Sequence, residues 1–295
     1  MREPEAADRP SIAQVLDRAA QRLEQAGVLN ARREATALWA ALEGVKPGDV
    51  WLKREGAPAR TVVEQFWEAV ERRLSGVPFP YAVGRVSFRT LELKLDPRAL
   101  IPRPETEGLV DLVLQWAGER PGGFAADVGT GCGCIALSLA VEGPFERVIA
   151  VERSPPTAAL ARENVELVRP RTPVEVREGE LLDPLRGQGE RFRLIVSNPP
   201  YLTEEDYAEL SPSVKLFEPS EALVSGPGGL EATRALLAGA AALLERGGVL
   251  ALEIDARRGD AVRALAHEYH WARIGIHSDL FGRPRYALVF PREDA

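Results

Sequence analysis

Asn198-Pro199-Pro200-Tyr201, which follows an apolar run over 192–197, is the segment whose residue types most directly suggest chemistry. Two consecutive prolines fix the backbone and withhold two N–H donors. The turn is left displaying carbonyl oxygens, the Asn198 carboxamide and the Tyr201 ring, a set suited to receiving N–H groups. The Asn198 side-chain oxygen and the Pro199 carbonyl can each take one hydrogen of a planar –NH2 group, while Tyr201 covers its face. A carboxamide nitrogen is a poor nucleophile because its lone pair is shared with the carbonyl. Acceptors on both hydrogens orient it and favour a polarised transition state, so positioning supplies much of the rate. The exocyclic amine of adenine presents the same two hydrogens, and the tetrapeptide alone does not choose between them. Asn198, Pro199 and Tyr201 are the catalytic candidates, and Pro200 joins them in binding substrate.

A second constellation is Gly129-Thr130-Gly131-Cys132-Gly133, directly after the apolar run Phe124–Val128. Glycines permit a tight turn and let the backbone approach a ligand. The helix expected to follow offers free N–H groups and a partial positive end, suited to the carboxylate of a methionine-like group. Glu152 ends the next apolar run, where an acid can accept both ribose hydroxyl hydrogens. Ser154 and Pro155 read as the N-cap and first residue of the helix behind it. Together these features point to S-adenosylmethionine and methyl transfer. Hydride transfer is the nearest rival, but the Gly-x-Gly-x-Gly spacing differs from the dinucleotide fingerprint, and no His, Lys or Tyr set is placed for it. A phosphate-binding Gly-Lys-Ser/Thr loop is missing.

Other reactive side chains are read more plainly. Cys132 and Cys134 stand two apart, close almost no loop and lack neighbouring metal ligands, so they are small space-fillers. His267 and His270 lack a third ligand, and with His277 they are assigned to the surface or an interface. No metal is expected.

The elements that must position these residues follow from periodicity. Ile12, Val15, Leu16, Ala19, Ala20 and Leu23 form one helical stripe that ends at Gly27. A second helix runs from about Ala31 to Gly44 with Ala35, Leu38, Trp39 and Leu42 on one side. A third is expected after Thr61 as N-cap, with Glu64 three residues on, burying Val62, Phe66, Val70 and Leu74. Residues 1–77 therefore form a small helical bundle, 78–100 a β-hairpin linker, and 101–295 an α/β domain. In the last, strands are expected at 124–128, 147–152, 174–178, 192–197 and 249–254, and helices at 107–117, 133–142, 155–168, 230–246 and 258–270. That alternation specifies a mostly parallel sheet. The runs 273–277 and 286–290 should add an antiparallel hairpin at its edge.

The chain has 295 residues and a net charge of −7, which argues against a broad nucleic-acid footprint. Residues 1–78 carry twelve basic and twelve acidic side chains, so the excess negative charge lies in the rest. No transmembrane span or secretory signal is read, and a cytoplasmic monomer is expected.

Ile101-Pro102-Arg103-Pro104-Glu105-Thr106-Glu107 carries the most specific likeness. With Gly129, Gly131, Gly133, Asn198-Pro199-Pro200-Tyr201, Phe217-Glu218-Pro219 and Ala222-Leu223, the chain resembles the bacterial protein-glutamine N5-methyltransferases that modify peptide chain release factors. The resemblance implies a class I S-adenosylmethionine-dependent methyltransferase fold, with a seven-stranded sheet, an N-terminal helical substrate-recognition domain and a hairpin between them. It implies the glutamine of a Gly-Gly-Gln motif as substrate and a release factor as protein partner, with no membrane or direct nucleic-acid substrate. It adds Arg103 and Glu107 to the substrate-binding set. Cofactor-binding residues become Gly129, Thr130, Gly131, Cys132, Gly133, Glu152, Glu180, Leu181 and Asn198. Glu152 and Glu180 stand where relatives usually carry Asp, and Asp255-Ala256-Arg257-Arg258 departs from the family's usual Gly followed by Gln-rich residues. Three other readings remain: adenine-N6 methylation, a glutamine on a different protein, and a non-enzymatic adaptor. The first predicts a basic channel and the last a disabled cofactor loop.

Overall fold

The computed structural model describes residues 10–118 and 120–292, which divide into two compact units, one ending at Arg85 and one beginning at Val86. The first unit is helical. In α1 (Ile12–Gln25) the Ser11 hydroxyl accepts the Gln14 N–H, and the Gln14 side chain accepts the Ser11 N–H, so two orphan donors are satisfied reciprocally. Every residue of its expected stripe is buried except Ala20, which is half-buried. α2 (Ala31–Glu43) brings Leu38 and Trp39 to the same core, where the Trp39 ring meets Phe66 edge-on at 5.0 Å between centroids.

Three details of this unit differ from expectation. A short helix, α3 (Pro47–Lys53), starts with proline in its first turn, and the Asp49 carboxylate accepts the Lys46 N–H. α4 (Arg60–Leu74) begins ahead of Thr61, which is not its cap. Ala59 holds that place without a side-chain bond, and an Arg60–Glu64 ion pair of 2.8 Å supports the first turn. Phe66 and Val70 are fully buried in it, whereas Val62 and Leu74 are half-buried against the core. Residues 79–83 form another short helix, α5 (Phe79–Val83), rather than extended chain, because proline is tolerated in a first turn.

The hairpin is confined to β1 (Arg85–Phe88) and β2 (Leu91–Lys94). Leu91 and Leu93 point inward, and the Lys94 backbone exchanges two hydrogen bonds with the Asn164 carboxamide at 2.7 and 3.0 Å. The sheet follows in chain order. α6 (Pro104–Gly118) precedes β3 (Phe124–Val128), α7 (Cys134–Glu142), β4 (Arg147–Glu152), α8 (Pro155–Val168), β5 (Val174–Glu178) and β6 (Phe192–Ser197). After β6 come two short helices, α9 (Glu204–Ala208) and α10 (Pro212–Phe217). Then follow α11 (Glu231–Gly239), β7 (Leu244–Glu253), α12 (Gly259–Glu268), β8 (Arg273–Ser278) and β9 (Pro284–Phe290).

The seven strands lie in the order β5-β4-β3-β6-β7-β9-β8, parallel except for β9, which runs antiparallel to both neighbours. This is the mostly parallel seven-stranded sheet expected from the sequence. The order reverses between β3 and its neighbours β4 and β6, and open α/β sheets bind ligands in such a crevice beyond the strands' carboxyl ends. Gly129, Glu152, Asn198 and Glu253 all stand at those ends.

Two boundaries move for physical reasons. α6 starts at Pro104, so Pro104-Glu105-Thr106-Glu107 is its first turn and not a lead-in. The helix expected over 230–246 stops at Gly239, a poor helix former, turns through 240–243, and gives its last residues to β7, whose Leu244 pairs with Phe192.

Candidate active site

The glycine loop is built around a buried acid. Asp127 of β3 is fully buried, and its Oδ2 accepts the Thr130 hydroxyl at 2.5 Å and the Ala136 N–H at 3.0 Å. Burial pushes its carboxyl up to about 7, against the pull of those two donors. One N–H of the α7 N-terminus is thus used internally, leaving the turn before it to face a ligand. The Gly129 and Thr130 N–H groups both donate to the Val151 carbonyl at 2.9 Å, which ties the loop to β4. Gly129 and Gly131 have φ of +74° and +58°, and a Cβ on either would meet no protein atom within 4 Å. The left-handed backbone favours glycine, and the open space in front of it leaves room for a ligand to approach. Gly133 shares that backbone, with φ of +88°, but a Cβ there would meet Leu137 at 3.4 Å and Ala161 at 3.8 Å, ordinary contact distances, so it faces protein and not open space.

Glu152 closes the loop from β4. Its Oε2 accepts the Gly131 N–H and its Oε1 the Ser154 N–H, both at 3.0 Å. Each oxygen keeps lone pairs for a second donor. Ser154 occupies the N-cap place of α8, but its hydroxyl lies 2.9 Å from that of Thr157 and makes no cap bond. Asn164 of α8 holds the Cys132 carbonyl at 2.8 Å. Cys132 and Cys134 are buried thiols, and the Cys134 thiol is pushed up by its hydrogen bond with Cys132 and then by burial, as fits inert space-fillers.

The tetrapeptide sits at the end of β6, where the Ser197 hydroxyl donates to the Val128 carbonyl at 2.6 Å. Past the two prolines, the Tyr201 and Leu202 N–H groups converge on the Leu223 carbonyl at 3.2 and 2.9 Å. This is how Ala222-Leu223 bears on the site. Asn198 Nδ2 donates to the Thr106 hydroxyl oxygen at 3.2 Å, Thr106 donates to Glu253 Oε2 at 2.7 Å, and Tyr201 donates to Glu253 Oε1 at 3.2 Å. Burial first, and then Glu253, raises the Tyr201 hydroxyl above its ordinary range. Glu218, also buried, accepts the Ile101 N–H at 3.2 Å and pairs with Arg103 at 2.7 Å. The two charged groups fasten the Pro-Arg-Pro segment beside Asn198.

A cavity of about 400 Å³ opens between these parts. Gly129, Thr130, Gly131, Cys132, Glu152, Glu180, Leu181, Asn198, Pro200 and Arg103 line it, together with Thr106. Of the other expected site residues, Gly133, Pro199 and Tyr201 are not among those that line it, although Pro199 and Tyr201 flank Pro200, which does. Glu107 is not brought to it: its carboxylate accepts the Arg89 N–H at 2.9 Å and serves the hairpin. Sequence reasoning placed Thr106 and Glu218 only within longer motifs and gave Asp127 and Glu253 no role, although an acid inside an apolar strand is itself a signal.

S-adenosylmethionine fits this donor set. The Glu152 carboxylate suits a ribose diol, the bare glycine backbone suits close approach, and the Leu181 side chain adds an apolar wall. Glu180 is exposed and lies 3.8 Å from Arg153.

The Asp255-Ala256-Arg257-Arg258 departure forms an ionic cluster. Arg258 pairs with both Asp206 and Asp255 at 2.6 Å, and Arg257 with the same two at 2.9 and 2.7 Å. The Arg258 hydrogen bond comes first among the causes that hold the Asp206 carboxyl well below its usual range. The cluster ties α9, just past the tetrapeptide, to the end of β7. Among the described residues, no group of three or more metal-ligating side chains is gathered to hold an ion, and no helix is long and apolar enough to cross a membrane.

Comparison with known proteins identifies the family. The family described as the PrmC N-terminal domain matches residues 14–84, and the methyltransferase small domain matches 110–230. The release factor glutamine methyltransferase of Moorella thermoacetica is 39% identical, over 96% of this chain and 100% of its own length. That of Streptomyces coelicolor is 37% identical over 92% and 95%. Among solved structures, the hMettl16 catalytic domain shares the fold alone, with a TM-score of 0.55 at 16% identity over 79% of this chain and 82% of its own. The chain belongs to the release factor glutamine methyltransferase family, and it is a methyltransferase.

Proposed function

We propose that the protein transfers a methyl group from S-adenosylmethionine to the side-chain amide nitrogen of the glutamine in the Gly-Gly-Gln motif of peptide chain release factors. The observation that carries this reading is the orientation of Asn198: its –NH2 end faces Thr106, which turns its oxygen end to an incoming donor. The relatives' shared name supports the substrate class.

When bound, S-adenosylmethionine supplies a methyl group on a positively charged sulfur. Glu152 would hold the ribose hydroxyls, Gly129 to Cys132 the methionine end, and Glu180 with Leu181 the neighbourhood of the adenine. Asn198 Oδ1 takes one hydrogen of the substrate amide and the Pro199 carbonyl the other, which turns the nitrogen lone pair toward the cavity. Tyr201, anchored by its hydroxyl on Glu253, covers the amide and keeps water out. No strong base is needed before attack, because the methylated nitrogen sheds its extra proton to water.

The helical unit would recognise the release factor away from the reactive glutamine, its even charge balance suiting a protein partner. The net charge of −7 supports a protein rather than a nucleic-acid substrate, and the family's role in translation supports a cytoplasmic location. Incubation with labelled methyl donor, a release factor and an adenine-containing duplex tests the reading. Label should enter the protein alone, and label in the duplex would overturn it.

A further inference from the structure

We propose that Thr106 and Glu253 are positioning residues that set the polarity of the Asn198 carboxamide, so that its oxygen and not its –NH2 group meets the substrate. The inference rests on the amide-methylation reading above and deepens it.

An Asn side chain can present either end to a ligand, and its bare outline does not decide which. Here the decision is made one and two bonds away. Glu253, nearly wholly buried at the end of β7, accepts hydrogens from the Thr106 and Tyr201 hydroxyls through separate oxygens. An ionised carboxylate has no hydrogen to give, so both hydroxyls must point at it. The Thr106 oxygen can then show Asn198 only lone pairs, and Asn198 must answer with Nδ2. Its Oδ1 is left facing the cavity, as an acceptor for an amide N–H.

Protonation of Glu253 reverses the chain. The neutral acid can donate to Thr106, whose hydroxyl then turns toward Asn198 and favours the flipped carboxamide. The site would meet the substrate amide with donors, and turnover would fail while the cofactor cradle stayed intact. Burial favours the neutral form and raises the Glu253 carboxyl, opposed by the Thr106 and Tyr201 bonds and by Arg285. The charged and titratable groups facing it are Tyr201, Arg285 and Tyr286 from β9, and Glu105 from α6, while Asp255 acts on the neighbouring Tyr201 hydroxyl.

The test measures kcat on a release factor against pH, together with S-adenosylmethionine Kd by calorimetry. Thr106→Val removes one buried hydrogen-bond partner and should lower kcat about 10–100-fold, with Kd changed by less than about threefold. Thr106→Ser should recover most of the rate. Glu253→Gln removes the titrating carboxyl, so the fall of kcat at low pH expected in the parent should disappear. An unchanged kcat in Thr106→Val, equal losses in kcat and cofactor affinity, or an acid limb persisting at the same pH in Glu253→Gln would each overturn the inference. A parent enzyme that methylated no glutamine would overturn the functional reading itself, whatever the variants did.

Discussion

Replacing Glu152 by Gln keeps the side chain's size but exchanges one acceptor oxygen for a donor, and the effect on cofactor binding can be worked from the geometry. In the parent, both carboxylate oxygens are used by the fold, Oε2 for the Gly131 N–H and Oε1 for the Ser154 N–H, each at 3.0 Å. Their remaining lone pairs are those a ribose diol would use. Gln has one oxygen, so one backbone N–H must face an –NH2 group, and one ribose hydroxyl loses its partner. Hydrogen bonds to a charged acceptor contribute about 1.5–3 kcal/mol each. The loop bond is lost in the free protein as well, so its cost falls mainly on stability, at about 2–4 °C in Tm per kcal/mol for a unit of this size. The ribose bond, together with the reordering of Gly131, falls on binding. The sum, about 2–4 kcal/mol, corresponds to a Kd weaker by roughly 30–1,000-fold. Calorimetric titration of S-adenosylmethionine into parent and Glu152→Gln measures this directly. A Kd within about twofold of the parent in a folded variant would refute the assignment of Glu152 to the ribose.

Gly131→Ala should separate folding from binding. The added Cβ meets no protein atom within 4 Å, so stability should fall only by the left-handed strain, about 1–2 kcal/mol, while cofactor affinity falls more than about tenfold; equal affinity would show the glycine to be a turn former only. Arg258→Ala removes the bond common to Asp206 and Asp255 and, with Arg257 still present, should cost about 1–3 kcal/mol in denaturant unfolding. The Asp206 carboxyl lies below its ordinary 3.8 in the folded chain, so its contribution to stability is present above that pH and is lost as pH falls below it. Unfolding curves of parent and variant should therefore converge in acid, and a constant gap down to pH 2 would contradict the pairing.

Much of this site was legible in the sequence because its parts are punctuated by glycine and proline. Gly129 and Gly131 mark where the backbone must lie open, and Pro199-Pro200 marks a turn without donors. Strands β3 to β6 were readable as apolar runs of strand length. What escaped depends on contacts distant in sequence. Gly239 and the pairing of Leu244 with Phe192 divide a stretch that has helical periodicity throughout. Thr106 and Glu253 are 147 positions apart, and nothing local to either predicts that they are hydrogen-bonded. Glu107 sits one residue from a cavity-lining threonine, yet the helical turn begun at Pro104 sends its carboxylate to the hairpin. Proximity in a motif did not decide proximity in space.

The account's central claim is that Asn198 presents an acceptor to a glutamine amide. It is tested most directly by allowing the parent and Asn198→Ala to act on a release factor with labelled S-adenosylmethionine, then mapping the label by peptide mass spectrometry. The parent should place one methyl on the side-chain nitrogen of the Gly-Gly-Gln glutamine. The variant should bind cofactor within about threefold of the parent while turning over at least about 100-fold more slowly, the scale of losing an aligned hydrogen bond at the reacting group. A methyl on any other residue, or equal turnover in the two proteins, would contradict it.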